Sequence, residues 1–133
     1  MIRKGSGMDD YEAIRQLAAR YNFAFDEGDV QGWVDCFTED AFFERSNAGR
    51  SYRGSAELAE LISGFPVSGR HVTSEFIITI DGDRAHQRCY LQYLDRENEH
   101  KLAMFGVYAD ELVKIAGQWK YSSRRLQVEY AAG

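Results

Sequence analysis

The sequence is short of proline, cysteine, histidine and positive charge, and each shortage excludes something. There is one proline in 133 residues, Pro66, so outside one loop nothing of that kind interrupts long helices or strands. Cys36 and Cys89 lie far apart and belong to no CxxC. That leaves neither a disulfide framework nor a zinc ribbon, and both are expected as small buried hydrophobes in a reducing cytoplasm. The three histidines show no HxH or HExxH spacing, so no metal is expected. Lysine and arginine number 16 against 21 acidic residues, a formal net charge of -5, and Arg124–Arg125 is the only arginine pair. A chain of that balance makes a poor partner for nucleic acid. No apolar run approaches the roughly 18 residues of a membrane span. The opening MIRKGSGMDD has no apolar stretch of the kind a signal peptide needs. No glycine-rich phosphate loop and no nucleophile elbow is present, so neither a nucleotide cofactor nor serine-hydrolase chemistry is expected, and no cofactor at all.

Aromatics, by contrast, are plentiful: eight Tyr, eight Phe and two Trp. The length suits one domain with a real core. Residues 1–8, with Gly5, Ser6 and Gly7, read as a flexible leader, and residues 9–133 as a single domain. Helical spacing of Ile14, Leu17, Ala18, Tyr21 and Phe25 predicts a helix over about 9–27. Gly28 ends it, and Asp29 is placed to cap a second helix over 30–36, striped by Val30, Trp33, Val34 and Phe37. A short extended piece, Arg50–Arg53, leads to a third helix over 56–63 with Ser55 as its cap. The remainder reads as strands at Arg70–Ile80, Arg84–Asp95, Lys101–Ile115 and Gln118–Tyr130. Asp81-Gly82-Asp83 and Ala116-Gly117 form tight hairpin turns, and a looser turn lies between Arg96 and His100. Helices first and hairpins later make an α+β protein, with helices packed on a curved antiparallel sheet.

Several residues stand out. Asp26 follows Phe25 by about 100° round the first helix, at the border of its buried face, either solvated or held at the mouth of a cavity. On Lys101–Ile115 both faces are largely apolar, which predicts a central strand covered on both sides. Gly106 in mid-strand marks a bend or the close approach of a ligand. His86, Arg88 and Tyr90 share one face of Arg84–Asp95, and Cys89, Leu91 and Tyr93 the other; alternation alone does not say which faces the helices. Met104, Leu102, Val128 and Phe76 are either plain core or the apolar wall of a pocket. Tyr21 and Tyr108 are either core aromatics with satisfied hydroxyls or hydrogen-bond donors to a substrate oxygen.

The segments AARYNFAFDEGDVQGWVDCFTEDAFFE, GRSYRG, SGRHVTSEF, DGDRAH and YADELVKIAGQWKYSSRR together resemble the SnoaL-like branch of the nuclear transport factor two-like superfamily. The resemblance runs from Asp9 to Tyr130. It implies a cone: a strongly curved antiparallel or mixed sheet wrapped round three helices, with a pocket opening into it. The nearest likeness is to the scytalone dehydratase and hexachlorocyclohexane dehydrochlorinase group. Asp26 and His71 match the aspartate and histidine of those active sites, and Arg124 the dehydrochlorinase's arginine. Tyr21 and Asp110 fall near the oxyanion donors of ketosteroid isomerase, whose base aspartate is replaced here by Arg45. Arg88 aligns with the dehydratase's second pocket histidine, and Gly106 and Tyr108 with its Ser and Asn pair.

The resemblance thus implies Asp26, His71, Tyr21 and Arg124 as catalytic residues. Tyr108, Met104, Gly106, Asp110, Arg88 and Val128 would be substrate-binding. His71, an imidazole that titrates near neutrality, would accept a proton. Asp26 would fix its tautomer and stabilise its charged form. The expected function is a cofactor-independent lyase, a dehydratase or related β-elimination enzyme, on a small cyclic hydrophobic molecule. The alternatives are a non-catalytic ligand-binding module and a polyketide cyclase or isomerase. Two-sided apolar strands add the expectation of a homo-oligomer, dimer or trimer, in the cytoplasm.

Overall fold

The structure, a computed structural model, describes residues 9–133; the expected leader over 1–8 lies outside the described residues. Its elements run α1 (Asp10–Asp26), α2 (Val30–Val34), β1 (Phe37–Arg45), β2 (Ser51–Arg53), α3 (Gly54–Ser63), β3 (Gly69–Asp81), β4 (Arg84–Asp95), β5 (Lys101–Ile115) and β6 (Gln118–Ala131). The six strands form one sheet in the order β2-β1-β6-β5-β4-β3. All neighbours are antiparallel except β1, which runs parallel to β6. The sheet is therefore mixed, and the three helices cover one of its faces.

Local chemistry explains most boundaries. Asp9 caps α1 by accepting the Glu12 N–H at 2.8 Å. Gly28, at φ +74°, turns the chain out of that helix. Asp29 then caps α2 through the Gly32 N–H at 3.0 Å. That helix is shorter than 30–36, because Phe37, read as the end of its stripe, instead opens β1. Ser55 is not the cap of α3. The N-cap residue is Arg53, whose own N–H donates to the Glu57 carboxylate at 2.8 Å, a contact that fixes the start two residues earlier. Ala116 and Gly117, at φ +51° and +80°, make the two-residue β5–β6 turn that a right-twisted hairpin favours.

The inner face of the sheet carries Gln87, Cys89, Leu91 and Tyr93 from β4 and Gly106, Tyr108, Asp110 and Leu112 from β5, all buried. Against them pack Ile14, Leu17 and Tyr21 of α1, Trp33 of α2 and Leu58 of α3. The outer face is not covered by any part of the described chain. Phe105 and Val107 of β5 are half-buried there, and Val72, Ile77 and Tyr90 are exposed. β5 is thus central but covered on one side only, which corrects the expectation of two-sided cover.

Gly106 owes its identity to packing. A Cβ there would lie 2.5 Å from the Gln127 carbonyl oxygen and 2.9 Å from Leu126 Cδ1, so β6 and not a ligand makes the close approach. Gly106→Ala should therefore cost about 1–3 kcal/mol by overpacking. A urea midpoint equal to that of the parent would contradict this account.

Candidate active site

Asp26 is the last residue of α1, and His71 is the third residue of β3. The helix end lies over the strand so that one carboxylate meets one residue at two points. Asp26 Oδ2 accepts the His71 backbone N–H at 2.9 Å, and Oδ1 lies 2.7 Å from His71 Nδ1. The two side chains are 5% and 7% exposed. An ionised Asp26 can only accept, so Nδ1 carries the proton and the neutral ring's lone pair sits on Nε2, at the edge turned away from Asp26. Burial lowers the His71 pKa from its usual value, although Asp26 works against it. The resting ring is therefore neutral and able to accept a proton.

His71 lines a small, partly open cavity of about 30 Å³, room for roughly one water. Tyr21, Tyr93 and Tyr108 line it with the ring edges of Phe25, Phe43 and Phe65, and Leu61, Leu91, Met104 and Leu126 complete the apolar wall. Arg45, from the end of β1, is the one cation on it. Rings crowd the imidazole: Tyr93, Phe25 and Tyr21 have centroids at 4.7, 5.0 and 6.0 Å. Larger hollows lie on the surface. One of about 660 Å³, by Asp10, Arg20 and Lys114, is open, charged and remote from the dyad. Another, of about 400 Å³ between α1 and β3, reaches Asp26 and His71 from outside, past Arg15, Phe23 and Arg70. The small cavity is the better candidate, because it places the buried imidazole beside three tyrosines on a largely apolar wall.

Beneath the cavity lies a buried ion pair. Arg124 Nε and Nη2 donate to the two Asp110 carboxylate oxygens at 2.9 and 3.2 Å, and Gln87 Nε2 donates to Asp110 Oδ2 at 2.8 Å. The guanidinium sits 3.4 Å from the Tyr108 ring centroid, 4.5 Å from that of Tyr21 and 4.6 Å from that of Tyr121. Burial raises the pKa of both Tyr21 and Tyr108, with Arg124 opposing it. Both hydroxyls are thus protonated at neutral pH, and they lie within hydrogen-bond reach of each other.

The expected site residues separate accordingly. Asp26, His71 and Tyr21 come together, and Tyr108 and Met104 join them on the cavity wall. Arg124 does not line the cavity: its fork is taken by Asp110, so it stands behind the tyrosines and not beside a leaving group. Asp110 is held by Arg124 and Gln87 and is not free for substrate. Arg88 points out of the sheet and is exposed, since β4 turns Gln87 and Cys89 inward. Gly106 faces inward but is filled over by β6. Val128 packs beside the cluster of Leu91, Tyr93 and Tyr108 without lining the cavity. Sequence reasoning missed Phe25, Phe43, Arg45, Phe65 and Tyr93 as wall residues. For Arg45 a signal existed: it shares strand parity with buried Ala41 and Phe43.

Fold and site together define a cone-shaped α+β domain with an aromatic, histidine-bearing interior. The profile of the SnoaL-like domain family matches residues 7–125, and the chain belongs to that family. No curated protein matches it. Among solved structures it is similar to a variant of Rv3472, a protein of unknown function from Mycobacterium tuberculosis. Identity is 33% over 92% of this chain and 73% of that one, with a TM-score of 0.85. It is also similar to a Catenulispora acidiphila protein in complex with S-DNPA, at 25% identity over 90% and 92% of the two chains and a TM-score of 0.78. A Novosphingobium aromaticivorans protein provisionally named scytalone dehydratase shares the fold, at 21% identity over 92% and 86% and a TM-score of 0.80.

The lowered His71 pKa has a consequence for stability. The unfolded chain takes up this proton near pH 6.5 and the folded one only lower. The neutral state's stability is fully present above about pH 6.5 and is lost as pH falls from there to the folded pKa, by at most about 1.4 kcal/mol per pH unit. Urea unfolding at a series of pH values should show His71→Gln losing this part of the slope. An unchanged slope would mean that His71 is not held neutral.

Proposed function

We propose that the protein is a cofactor-independent lyase, a dehydratase or related β-elimination enzyme, acting on a small cyclic, mostly apolar molecule. The single observation that carries this is the 2.7 Å contact between Asp26 and the ring nitrogen of a buried histidine that lines a small aromatic cavity. His71 Nε2 takes a proton from carbon. Asp26 keeps the other nitrogen protonated and stabilises the imidazolium that forms. Tyr21 and Tyr108 donate to the oxygen on which negative charge develops, and the proton on His71 then serves the departing group. Arg124 acts from behind, holding the two rings and favouring charge above them. The fold shared with a protein provisionally named for scytalone dehydratase supports the reading only at the level of architecture.

Two alternatives draw on specific observations. A non-catalytic ligand-binding module fits the small size of the cavity, since binding alone needs no reacting geometry. A polyketide-type cyclase or isomerase is the second alternative, and the relative's complex with S-DNPA supports it only as far as small-molecule binding. Free, buried Cys36 and Cys89 suit a reducing cytoplasm. The bare outer face of β3–β6, with exposed Val72, Ile77 and Tyr90, suits pairing with further copies. Sedimentation at micromolar concentration should accordingly show a dimer or trimer, and a monomer alone would defeat that assignment.

The mechanism is tested by turnover on a panel of cyclic ketones and phenols. His71→Ala should abolish activity. Asp26→Asn should lower kcat by roughly 10²–10⁴-fold, the usual share of acid–base catalysis, with KM little changed. Parent-like rates in both variants would exclude the dyad as catalyst.

A further inference from the structure

The cavity wall holds a positive charge that the reaction as described does not use. Arg45 is half-buried at the end of β1, and its Nε is out of contact with solvent and without a hydrogen-bond partner. Among the described residues no carboxylate lies within ion-pair distance of it. Arg45 is not alone among the described cations in lacking an ion pair, since Arg15, Arg20, Arg70 and Arg88 lack one too, but those do not line this cavity, and the buried Arg124 is paired with Asp110. Glu44, the residue before Arg45, faces the other side of the sheet, and its carboxylate accepts from Arg125 at 3.1 Å. What Arg45 does have is the Phe65 ring, 5.4 Å from its guanidinium carbon, in the loop between α3 and β3. An arginine does not shed its charge on burial. A guanidinium drawn partly out of water therefore needs an acceptor, and the protein supplies none.

We infer that Arg45 selects cyclic substrates bearing a carboxylate, whose two oxygens take the guanidinium fork while His71 faces the ring to be deprotonated. The inference rests on the reading of this cavity as the reaction site, and it names the substrate class. A carboxylate matches the planar fork of arginine better than a single hydroxyl or carbonyl does. Within the cavity no other charge competes: the Asp26 carboxylate is already committed to the His71 N–H and ring nitrogen. The space of about 30 Å³ admits no ring as it stands. The substrate consequently displaces Phe65 from Arg45, and its carboxylate takes the place of that ring.

Calorimetric titration with benzoate, 1-naphthoate and 2-naphthoate, each against its neutral carboxamide, tests this without turnover. On the parent protein at least one acid should bind tenfold or more tightly than its amide. Arg45→Gln should bring that ratio close to one with amide affinity unchanged within about twofold, whereas Arg45→Lys should keep part of the preference. On the parent alone, the bound acid should shift the Arg45 Nε–H resonance, a readout that stands even where a variant does not fold. Equal binding of acid and amide, a preference that survives Arg45→Gln, an unmoved Arg45 resonance, or no acid bound at millimolar concentration would each overturn the proposal. His71→Ala separates the two readings. Its effect is read in turnover alone, while the acid-to-amide ratio is read on the parent and on Arg45→Gln, so a missing preference there counts against Arg45 and parent-like turnover of His71→Ala counts against the base.

Discussion

The buried pairing of Arg124 with Asp110 is the constraint on which the rest of the interior depends. A guanidinium and a carboxylate are expensive to remove from water, and removing one partner alone leaves an uncompensated charge. Here much of the cost is offset by two charge-assisted bonds between them, the Gln87 amide on the carboxylate and three tyrosine faces round the cation, although Arg124 Nη1 is buried without a hydrogen-bond partner. Those tyrosines come from α1, β5 and β6, so one ion pair fixes the helix to the two central strands. Tyr21 in turn packs against Trp33, Phe37 and Tyr121 at 5.5–5.8 Å between centroids. Part of the aromatic surplus of the sequence is thus the packing round one charge.

With Tyr21 pinned, the C-terminal turn of α1 has little freedom, and Asp26 is delivered to β3. A carboxylate at a helix C-terminus is disfavoured by the helix dipole. Its cost is offset by two donors from a single residue, the backbone and ring N–H of His71. The same contact sets which nitrogen bears the proton, so position and protonation state have one cause. Phe25, the residue before Asp26, adds its ring to the shield round the imidazole. Structural and chemical roles are therefore not separable along this stretch.

What the sequence revealed depended on periodicity and parity. Helical spacing gave α1 with its buried face, and the turn residues Gly28, Gly82 and Ala116-Gly117 gave its end and both long hairpins. The position of Asp26 at the edge of the buried stripe was legible for the same reason. His71 could be joined to it only through resemblance, because no local pattern pairs residues 45 positions apart. Arg124 illustrates the opposite difficulty. Its alignment with a catalytic arginine was visible, but Asp110 and Arg124 face one another across neighbouring strands, and that register belongs to the sheet rather than to either strand. Gly106 could mark a bend or the approach of a ligand, and it lies at a register shift against β6, whose Gln127 carbonyl makes the close approach; a missing side chain looks the same from each cause. β1 runs parallel to β6, and no hairpin signal announces such a pair.

The charges of the interior are arranged in two tiers with different accounts to settle. Arg124 has a carboxylate partner within the protein, and its charge lies against the rings of Tyr21 and Tyr108. Arg45 has no such partner and lies beside Phe65 on the cavity wall. A wholly satisfied wall would gain nothing from a ligand beyond apolar contact. A wholly unsatisfied one would be wet, and the imidazole of His71 would lose the dry surroundings that hold it neutral. A paired charge beneath the tyrosines and an unpaired one beside Phe65 leave the wall round the imidazole largely apolar. Under the carboxylate proposal, a ligand that paired with Arg45 would offset the cost of displacing the Phe65 ring.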